Sequence, residues 1–420
     1  MTRAVFELQN EALFIKEKCL RQAESQAFFT LLDSNNNLDK HGKYEWICAW
    51  GNAKSIAASA QSFKALRAFH QQHKDWCFGH LNFNLKNELE NLKTSSIDSF
   101  GYEHLSFFIP EHVVYATADG VFCESLLFGN AQELLQHLNQ KGNLSVVSEG
   151  PKFTLSTSRS SYLKKIDALK KELQYGNIYE INFCIEFIGR ETIQPLSYFK
   201  TLNAIHRAPF TAFYKNNNNY LLCFSPERYL KKTGTWLISQ PIKGTAPRGE
   251  NKHRDDEIKA DLLASEKERA ENVMIVDLVR NDLSRTAKAG SVKVPELFQI
   301  YSYPAVHQMT STIESEMAPT FDFVDALATS FPMGSMTGAP KISALKLIDA
   351  HENFNRSLYS GSVGYISPEG DFDFNVVIRS IMYNSASKLS SVRVGSAITI
   401  HCDAEKEFEE CLLKAEKLIR

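Results

Sequence analysis

The first 155 residues alternate short apolar runs with polar turns. Runs such as YEWICAW and LSFFIPEHVVYATA have the length and the aromatic and β-branched content of strands, and DSNNNLDKHGK is typical of a turn. After residue 155 the segment SYLKKIDALKKELQYG has apolar residues at helical spacing and a terminating glycine. Four asparagines at 216–219 between the runs TAFY and YLLCFS predict a β-hairpin. We predict a mixed α and β class, with an N-terminal region at 1–155 and a second domain at 156–420.

Composition and charge narrow the class of partner. The chain has 420 residues, is 43% hydrophobic and has a formal net charge of −2 from 47 basic and 49 acidic residues. Basic and acidic residues are mixed along the sequence, so we expect no large positively charged surface that could bind nucleic acid or an anionic membrane. A small molecule is therefore the expected partner. No apolar run reaches the roughly 18 residues of a membrane span. Eight cysteines without a C-x-x-C pair predict reduced thiols and a cytoplasmic protein.

A lysine and a glutamate on successive predicted strands form the first candidate site. Glu227 lies in SPER, and Lys243 lies in ISQPIKGTAPRG before Gly244 and Thr245. The glycine allows backbone to approach a ligand, and burial that depresses the pKa of Lys243 would make its neutral amine a nucleophile or base. The alternative is a solvated lysine in a turn.

Two pairs of glutamates form the second candidate site. Glu268 and Glu271 lie three residues apart in a helical pattern, as do Glu407 and Glu410 near the C-terminus, so each pair shares a helix face. If the two faces meet, their carboxylates suit Mg²⁺, which takes a few protein oxygens and completes its octahedron with other ligands. Either pair alone is more simply a solvated helix face.

Two further segments offer groups that could bind an anion. In FPMGSMTGAPK, Thr337 and Gly338 lead through Pro340 into a helix whose N-terminal amides favour an anion, although the spacing does not match a nucleotide-binding loop. Later strand-like segments carry Tyr359, Arg379 and the amides around Gly395, which are good carboxylate partners. The alternatives are a turn that begins a helix without a ligand, and plain β-sheet.

Taken together, the motifs resemble the chorismate-utilising family that includes anthranilate synthase component I, aminodeoxychorismate synthase component I, isochorismate synthase and salicylate synthase. The resemblance covers residues 156–420 and rests on the ordered motifs SPER, PIKGT, KERAEN, VDLVRNDLSR, FPMGSMTGAPK, YSGSVGY and EFEECLLKA. GHLNFNLK and FFIPEHVVYA extend it into the N-terminal region. It implies an α+β fold, a four-layer α/β/β/α arrangement with large, mostly antiparallel sheets.

Within this family the lysine of PIKGT is typical of the aminodeoxychorismate synthases, whereas anthranilate synthases typically have alanine there. The resemblance implies that Lys243 attacks C2 of chorismate while Glu227 protonates the departing C4 hydroxyl. Ammonia then enters at C4 and expels the lysine, which gives 4-amino-4-deoxychorismate for p-aminobenzoate and folate synthesis. It also implies that Glu271 and Glu410 bind Mg²⁺, with Glu268 and Glu407 behind them through water. The implied substrate-site positions are Gly244, Thr245, Gln308, Thr337, Tyr359, Arg379, Gly395 and Lys414.

This sequence departs from the family pattern at two places. Gln308 occupies the position where many members have histidine, and His307 beside it should face the opposite way on a strand. A neutral amide can hydrogen-bond the leaving hydroxyl without supplying a proton, which leaves the acid role to Glu227. The usual glycine triplet near the end reads Gly395, Ser396 and Ala397.

Three alternatives to this function stay open. Anthranilate synthase component I would share the metal and the ammonia chemistry but would eliminate pyruvate. An isochorismate or salicylate synthase would use water and a different base lysine, and a non-catalytic relative would keep the pocket without turnover. No cysteine-nucleophile glutaminase pattern is apparent, so we expect ammonia to come from a separate glutamine amidotransferase subunit.

Overall fold

Two large antiparallel sheets make up the centre of the computed structural model, which describes residues 2–37, 39–139 and 150–419. The strands are β1 (Ala4–Leu8), β2 (Phe28–Asp33), β3 (Trp46–Trp50), β4 (Lys54–Ala58), β5 (Cys77–Leu81), β6 (Leu105–Ile109), β7 (His112–Thr117), β8 (Gly120–Ser125), β9 (Thr154–Leu155), β10 (Glu180–Gly189), β11 (Phe210–Asn216), β12 (Asn219–Ser225), β13 (Arg228–Thr233), β14 (Trp236–Gln240), β15 (Ile242–Pro247), β16 (Lys293–Ser302), β17 (Val306–Glu316), β18 (Gly338–Ala339), β19 (Ser362–Ile366), β20 (Phe372–Asn375), β21 (Ser380–Asn384) and β22 (Leu389–Ile398).

The helices alternate with these strands along the chain. They are α1 (Ala12–Leu20), α2 (Ser62–His73), α3 (Lys86–Leu89), α4 (Ala131–Asn139), α5 (Arg159–Gln174), α6 (Pro195–His206), α7 (Lys252–Ala264), α8 (Glu266–Ser284), α9 (Phe323–Ser330), α10 (Lys341–His351) and α11 (Ala404–Ile419). The predicted helix after residue 155 is α5: the Ser158 hydroxyl accepts from the Ser161 amide at 3.3 Å at its start, and Gly176 follows its end in the left-handed region.

The strand order places segments from distant parts of the chain side by side. The first sheet runs β1-β8-β7-β3-β2-β11-β12-β21-β22-β10-β18 with β9 beside β10, and the second runs β15-β17-β14-β13-β20-β19-β5-β6-β4 with β16 beside β17. The strand pairs of the described residues are antiparallel. The predicted hairpin is β11 and β12, where Asn216 pairs with Asn219 across a tight turn.

Apolar side chains on both faces of the sheets create the layers. Leu221 of the first sheet and Phe107 of the second belong to one buried cluster, whereas Ile166 of α5 and Cys411 of α11 belong to another that packs on the first sheet. Helix α8 contacts β17 of the second sheet, and α11 contacts β22 of the first. The predicted four-layer α/β/β/α arrangement with large antiparallel sheets is confirmed.

The two predicted segments share both sheets. Strand β2 from residues 1–155 pairs with β11, and β5 pairs with β19, so each sheet is continuous across the predicted boundary, which falls at the end of β9. The division at 155 stays a prediction about sequence segments. All eight cysteines are buried and free. Among the described residues, no helix combines the length and the apolar character needed to cross a membrane.

Candidate active site

Lys243 lies on β15, which forms an edge of the second sheet and faces helix α8. The register between β15 and β17 shifts between Ile242 and Thr245, so the strand is irregular at the lysine. Gly244 has φ +85°, and a Cβ there would lie 3.1 Å from Glu268 Oε2. Glycine therefore permits both the turn of the backbone and the close approach of the helix that carries the predicted metal ligands.

The Lys243 ammonium is enclosed by carboxylates and does not reach bulk solvent. Its side chain is 9% exposed, its Nζ donates a hydrogen bond to Glu180 Oε1, and it lies 3.9 Å from Glu271 Oε2. Burial alone would lower the pKa of Lys243, but Glu180 and Glu271 outweigh burial and hold it above its ordinary value. The predicted buried location is correct, and the solvated alternative is wrong. The nearby anions stabilise the charged form in this arrangement, so the neutral amine requires the loss of a proton and stays a prediction.

Glu227 is buried between β12 and β13 with a raised pKa. Its amide donates to Ser225 Oγ at 3.1 Å, and its carbonyl accepts from the Val376 amide at 3.0 Å, which fixes its backbone. Burial raises the pKa of Glu227 to about 7, against the opposing effects of the Ser335 hydroxyl and Lys243. A carboxyl group that keeps its proton near neutral pH can act as a general acid.

The two predicted glutamate pairs meet, and Lys267 links them. Glu268 and Glu271 lie in the first turns of α8, and Glu407 and Glu410 lie at the start of α11. Lys267 Nζ is 3.3 Å from Glu407 Oε1 and 3.9 Å from Glu271 Oε1. The interpretation of each pair as a separate solvated helix face is therefore wrong, because the Lys267 side chain contacts glutamates of both helices.

Three of these carboxylates, Glu268, Glu271 and Glu410, have shifted pKa values. Burial raises the pKa of Glu271 to about 7 and also raises that of Glu268. Burial acts in the same direction on Glu410, but Lys414, 2.7 Å from Glu410 Oε1, outweighs it and lowers the pKa. Glu271 Oε1 is buried without a hydrogen-bond partner, and the Lys267 ammonium lies 3.9 Å from it. A buried carboxylate oxygen without a hydrogen bond is costly unless a cation or a proton comes closer.

Oxygen donors suited to Mg²⁺ are therefore present, but they do not form a closed cage. Within the described ranges, no group of three or more His, Cys, Asp or Glu side chains is arranged so that it could hold a metal ion. Mg²⁺ commonly uses only one or two protein carboxylates and takes its remaining ligands from substrate and water. The Glu271 oxygen that has no hydrogen-bond partner and the Glu410 carboxylate are donors of the kind that Mg²⁺ takes.

The glycine-punctuated segment leads into α10 as predicted. Thr337 and Gly338 precede Pro340, which is the residue before the first turn of α10. The Thr337 hydroxyl donates to the Met333 carbonyl at 3.1 Å, so its proton is already used by the backbone. Thr337 can therefore offer a ligand its oxygen lone pairs, whereas its hydroxyl hydrogen holds the loop closed.

The remaining predicted substrate residues fall into two groups. Gly395 pairs with Cys184 across β22 and β10, its carbonyl accepts from Lys414 Nζ at 2.9 Å, and Tyr359 is buried against Cys184. Arg379 instead lies beside Glu227, where burial lowers the pKa of its guanidinium to about 10. The negative charge of Glu227 acts in the opposite direction, to raise the pKa of Arg379, so the two groups interact electrostatically.

Gln308 and His307 face different surroundings, as expected for neighbours on a strand. His307 Nε2 lies 2.8 Å from Asp255 Oδ1, and its Nδ1 lies 2.9 Å from Ser302 Oγ, so the imidazole belongs to the contact with α7. Gln308 pairs with Thr245 in the β15–β17 register and is fully buried, and both polar atoms of its amide lack a hydrogen-bond partner in the described part of the chain. Its amide therefore has both its donor and its acceptor free for a ligand.

Two neighbours in the site were not predicted from the sequence. Glu180 accepts a hydrogen bond from Lys243, and the Ser335 hydroxyl acts to lower the pKa of Glu227. The signal for Glu180 is an acidic residue at the start of the mostly apolar strand EINFCIEFIG, where burial of a charge requires a partner. Ser335 carries no comparable signal, because a serine in a glycine-rich turn is common.

Solved structures share this fold. Anthranilate synthase component I of Streptococcus pneumoniae superposes with a TM-score of 0.79 at 21% identity, over 91% of this chain and 94% of that chain. The menaquinone-specific isochorismate synthase of Escherichia coli superposes with a TM-score of 0.75 at 16% identity, over 100% of this chain and 95% of that chain. At these identities the likeness concerns the fold alone.

Two relatives with higher sequence identity are named as aminodeoxychorismate synthases. The chain is 40% identical to the chloroplastic aminodeoxychorismate synthase of Arabidopsis thaliana over 62% of this chain, and 36% identical to aminodeoxychorismate synthase component 1 of Escherichia coli K12 over 63% of this chain. The matches span 29% and 58% of those two proteins. The family model described as chorismate binding enzyme matches residues 18–420. This chain therefore belongs to the chorismate binding enzyme family.

Proposed function

We propose that this chain converts chorismate and ammonia to 4-amino-4-deoxychorismate, for p-aminobenzoate and folate synthesis. The observation that carries the proposal is the buried Lys243, enclosed with Glu271 on one side and coupled to the buried acid Glu227. An anthranilate synthase has no need of an amine at this place, since its ammonia is the only nitrogen nucleophile. The aminodeoxychorismate synthase names of the relatives at 36 and 40% identity support the same reading.

The proposed reaction has two steps. The Lys243 ammonium first gives one proton to solvent, and the neutral amine bonds to C2 of chorismate; both ring double bonds shift towards C4, and the C4 hydroxyl takes the proton of Glu227 and leaves as water. Ammonia then bonds to C4, both double bonds shift back, the C2–nitrogen bond to Lys243 breaks, and the new C4 ammonium returns a proton to the Glu227 carboxylate. Arg379 and the free amide of Gln308 are available to bind substrate oxygens. Because the protein holds the amine next to the ring, the attack becomes effectively unimolecular, and this lowers the activation barrier.

Magnesium is part of the proposal. Glu271 and Glu410 would hold the ion, with Glu268 and Glu407 behind them through water, and Mg²⁺ would supply a positive charge for a substrate carboxylate. The support is the chemistry of the donors: four carboxylates from two helices, one of which has a buried oxygen without a hydrogen-bond partner. Lys267 and Lys414 offset part of the mutual repulsion of these carboxylates, and a divalent ion would offset more of it.

Glu271→Gln should weaken magnesium binding by at least about 10-fold, because the change removes one carboxylate charge from the proposed ligand set. Calorimetric titration of Mg²⁺ into the chain in the presence of chorismate measures this directly. Glu266→Gln is the matched control, since Glu266 begins the same helix and is exposed. Equal magnesium affinity in Glu271→Gln and wild type would remove Glu271 from the proposed site.

The cytoplasm is the proposed location of this protein, because all eight of its thiols are free and buried.

Ammonia is proposed to come from a separate glutamine amidotransferase subunit. The function is tested by incubating the chain with chorismate and Mg²⁺, and with either ammonium or glutamine. We expect 4-amino-4-deoxychorismate with ammonium and little product with glutamine. Anthranilate or isochorismate as the product would contradict the proposed reaction, and efficient use of glutamine by the pure chain would contradict the separate subunit.

A further inference from the structure

Glu180 is a buried carboxylate that the reaction proposed above leaves without a role. Its Oε1 accepts a hydrogen bond from Lys243 Nζ, and its side chain is 1% exposed. Its Oε2 is buried and has no hydrogen-bond partner among the described residues. Glu271 Oε2 lies 3.9 Å from the same nitrogen, which is too far for a hydrogen bond. Of these two acids, only Glu180 fixes the place of the amine by a directional contact.

The backbone of Glu180 is itself held by the segment that carries Thr337. Strand β10 begins at Glu180, which pairs with Ala339 of β18, and the Tyr179 amide donates to the Ala339 carbonyl at 2.7 Å. A Cβ on Gly338 would lie 2.2 Å from the Glu180 carbonyl oxygen, so only glycine allows the two backbones to come this close. The carboxylate of Glu180 is therefore presented from a fixed strand end.

A lysine nucleophile needs such a contact because of its flexible stem. Its four-carbon side chain has many rotamers, whereas a reacting nitrogen must lie within roughly 3–3.5 Å of the carbon that it attacks, in the correct direction. Displacement by about 1 Å can cost about 100-fold in rate. A buried hydrogen-bond acceptor restricts the nitrogen to one place without contacting the substrate.

We propose that Glu180 is a positioning residue that holds Lys243 Nζ at the point from which it attacks the substrate. The inference rests on the proposed function, because it assigns Glu180 a role in the same reaction. The role requires an oxygen acceptor at the reach of a glutamate side chain. It does not require a negative charge on the side chain, and this distinction makes the inference testable.

The test compares three substitutions in the ammonium-dependent reaction. Glu180→Ala should lower kcat about 100-fold and leave the KM for chorismate within about 2-fold, since Glu180 acts through Lys243. Glu180→Gln keeps an oxygen acceptor at the same distance from the backbone, so its kcat should be at least about 10-fold higher than that of Glu180→Ala. Glu180→Asp keeps the charge but is shorter by one methylene, so its kcat should be close to that of Glu180→Ala. Tyr179→Phe, an exposed neighbour, is the control.

A higher kcat for Glu180→Gln than for Glu180→Asp distinguishes a positioning role of Glu180 from a purely electrostatic or structural one. Aspartate equal to or above glutamine would overturn the inference, as would an unchanged kcat in Glu180→Ala. Because only the ranking of Gln and Asp is needed, the test survives poor folding of the alanine variant. If wild type fails to form 4-amino-4-deoxychorismate, the proposed function falls and the role of Glu180 falls with it. If wild type forms it and the ranking is reversed, only the role of Glu180 falls.

Discussion

Replacing Lys243 with alanine should lower the ammonium-dependent rate by about 10³-fold or more. The substitution removes the group proposed to form a covalent bond to the substrate. Loss of a nucleophile abolishes the covalent route itself, whereas loss of a stabilising contact only slows it. Chorismate should still bind, because Arg379, Gln308 and the proposed magnesium ligands are unchanged. Steady-state kinetics with ammonium, together with calorimetric binding of chorismate, measure the two effects separately.

The control for this prediction is Lys346→Ala, which removes an exposed lysine from α10 and should leave kcat unchanged. A Lys243→Ala variant that retains wild-type kcat would show that Lys243 is not the nucleophile. A variant that loses chorismate binding together with activity would show that Lys243 binds the substrate in its ground state, and this would also contradict the proposed role.

Replacing Glu227 with glutamine should lower kcat by about 10²- to 10⁴-fold, the usual range for the loss of a general acid. The amide can still hydrogen-bond the leaving oxygen, but it cannot give it a proton. Glu250→Gln, an exposed carboxyl in the loop after β15, is the control for the loss of one charge. Wild-type kcat in Glu227→Gln would assign the proton to another group.

The pH dependence of the wild type follows from the same residue. Burial raises the pKa of Glu227 to about 7, and the acid acts only while it is protonated. Activity that depends on Glu227 is therefore present below about pH 7 and is lost as the pH rises through that value. Because glutamine does not titrate, Glu227→Gln should lack this alkaline decline, and a profile of kcat against pH for both proteins shows the difference.

Much of the fold followed from local pattern and resemblance. The apolar spacing of residues 161–176 predicted α5, and the asparagines at 216–219 predicted the β11–β12 turn, because both depend on neighbours in sequence. The pairing of β2 with β11 and of β5 with β19 was not predicted. Such pairs join segments far apart in the chain, and no local periodicity specifies which strands become neighbours.

The candidate site was predicted in its residues but not in its electrostatics. Spacing placed Glu268 with Glu271 and Glu407 with Glu410, and the structure brings the two pairs together through Lys267. The direction of the Lys243 pKa was mispredicted because burial and neighbouring anions act in opposite senses. The balance depends on Glu180, which lies more than sixty residues away along the chain and meets Lys243 through the tertiary structure.

A covalent bond between the Lys243 nitrogen and the substrate can be detected by peptide mass spectrometry. Wild-type protein is mixed with chorismate and Mg²⁺ without ammonia, quenched in acid and digested. We expect the peptide containing Lys243 to carry the mass of chorismate less one water, and added ammonium to discharge this adduct. An unmodified Lys243 peptide from protein that goes on to form 4-amino-4-deoxychorismate when ammonium is supplied would contradict it.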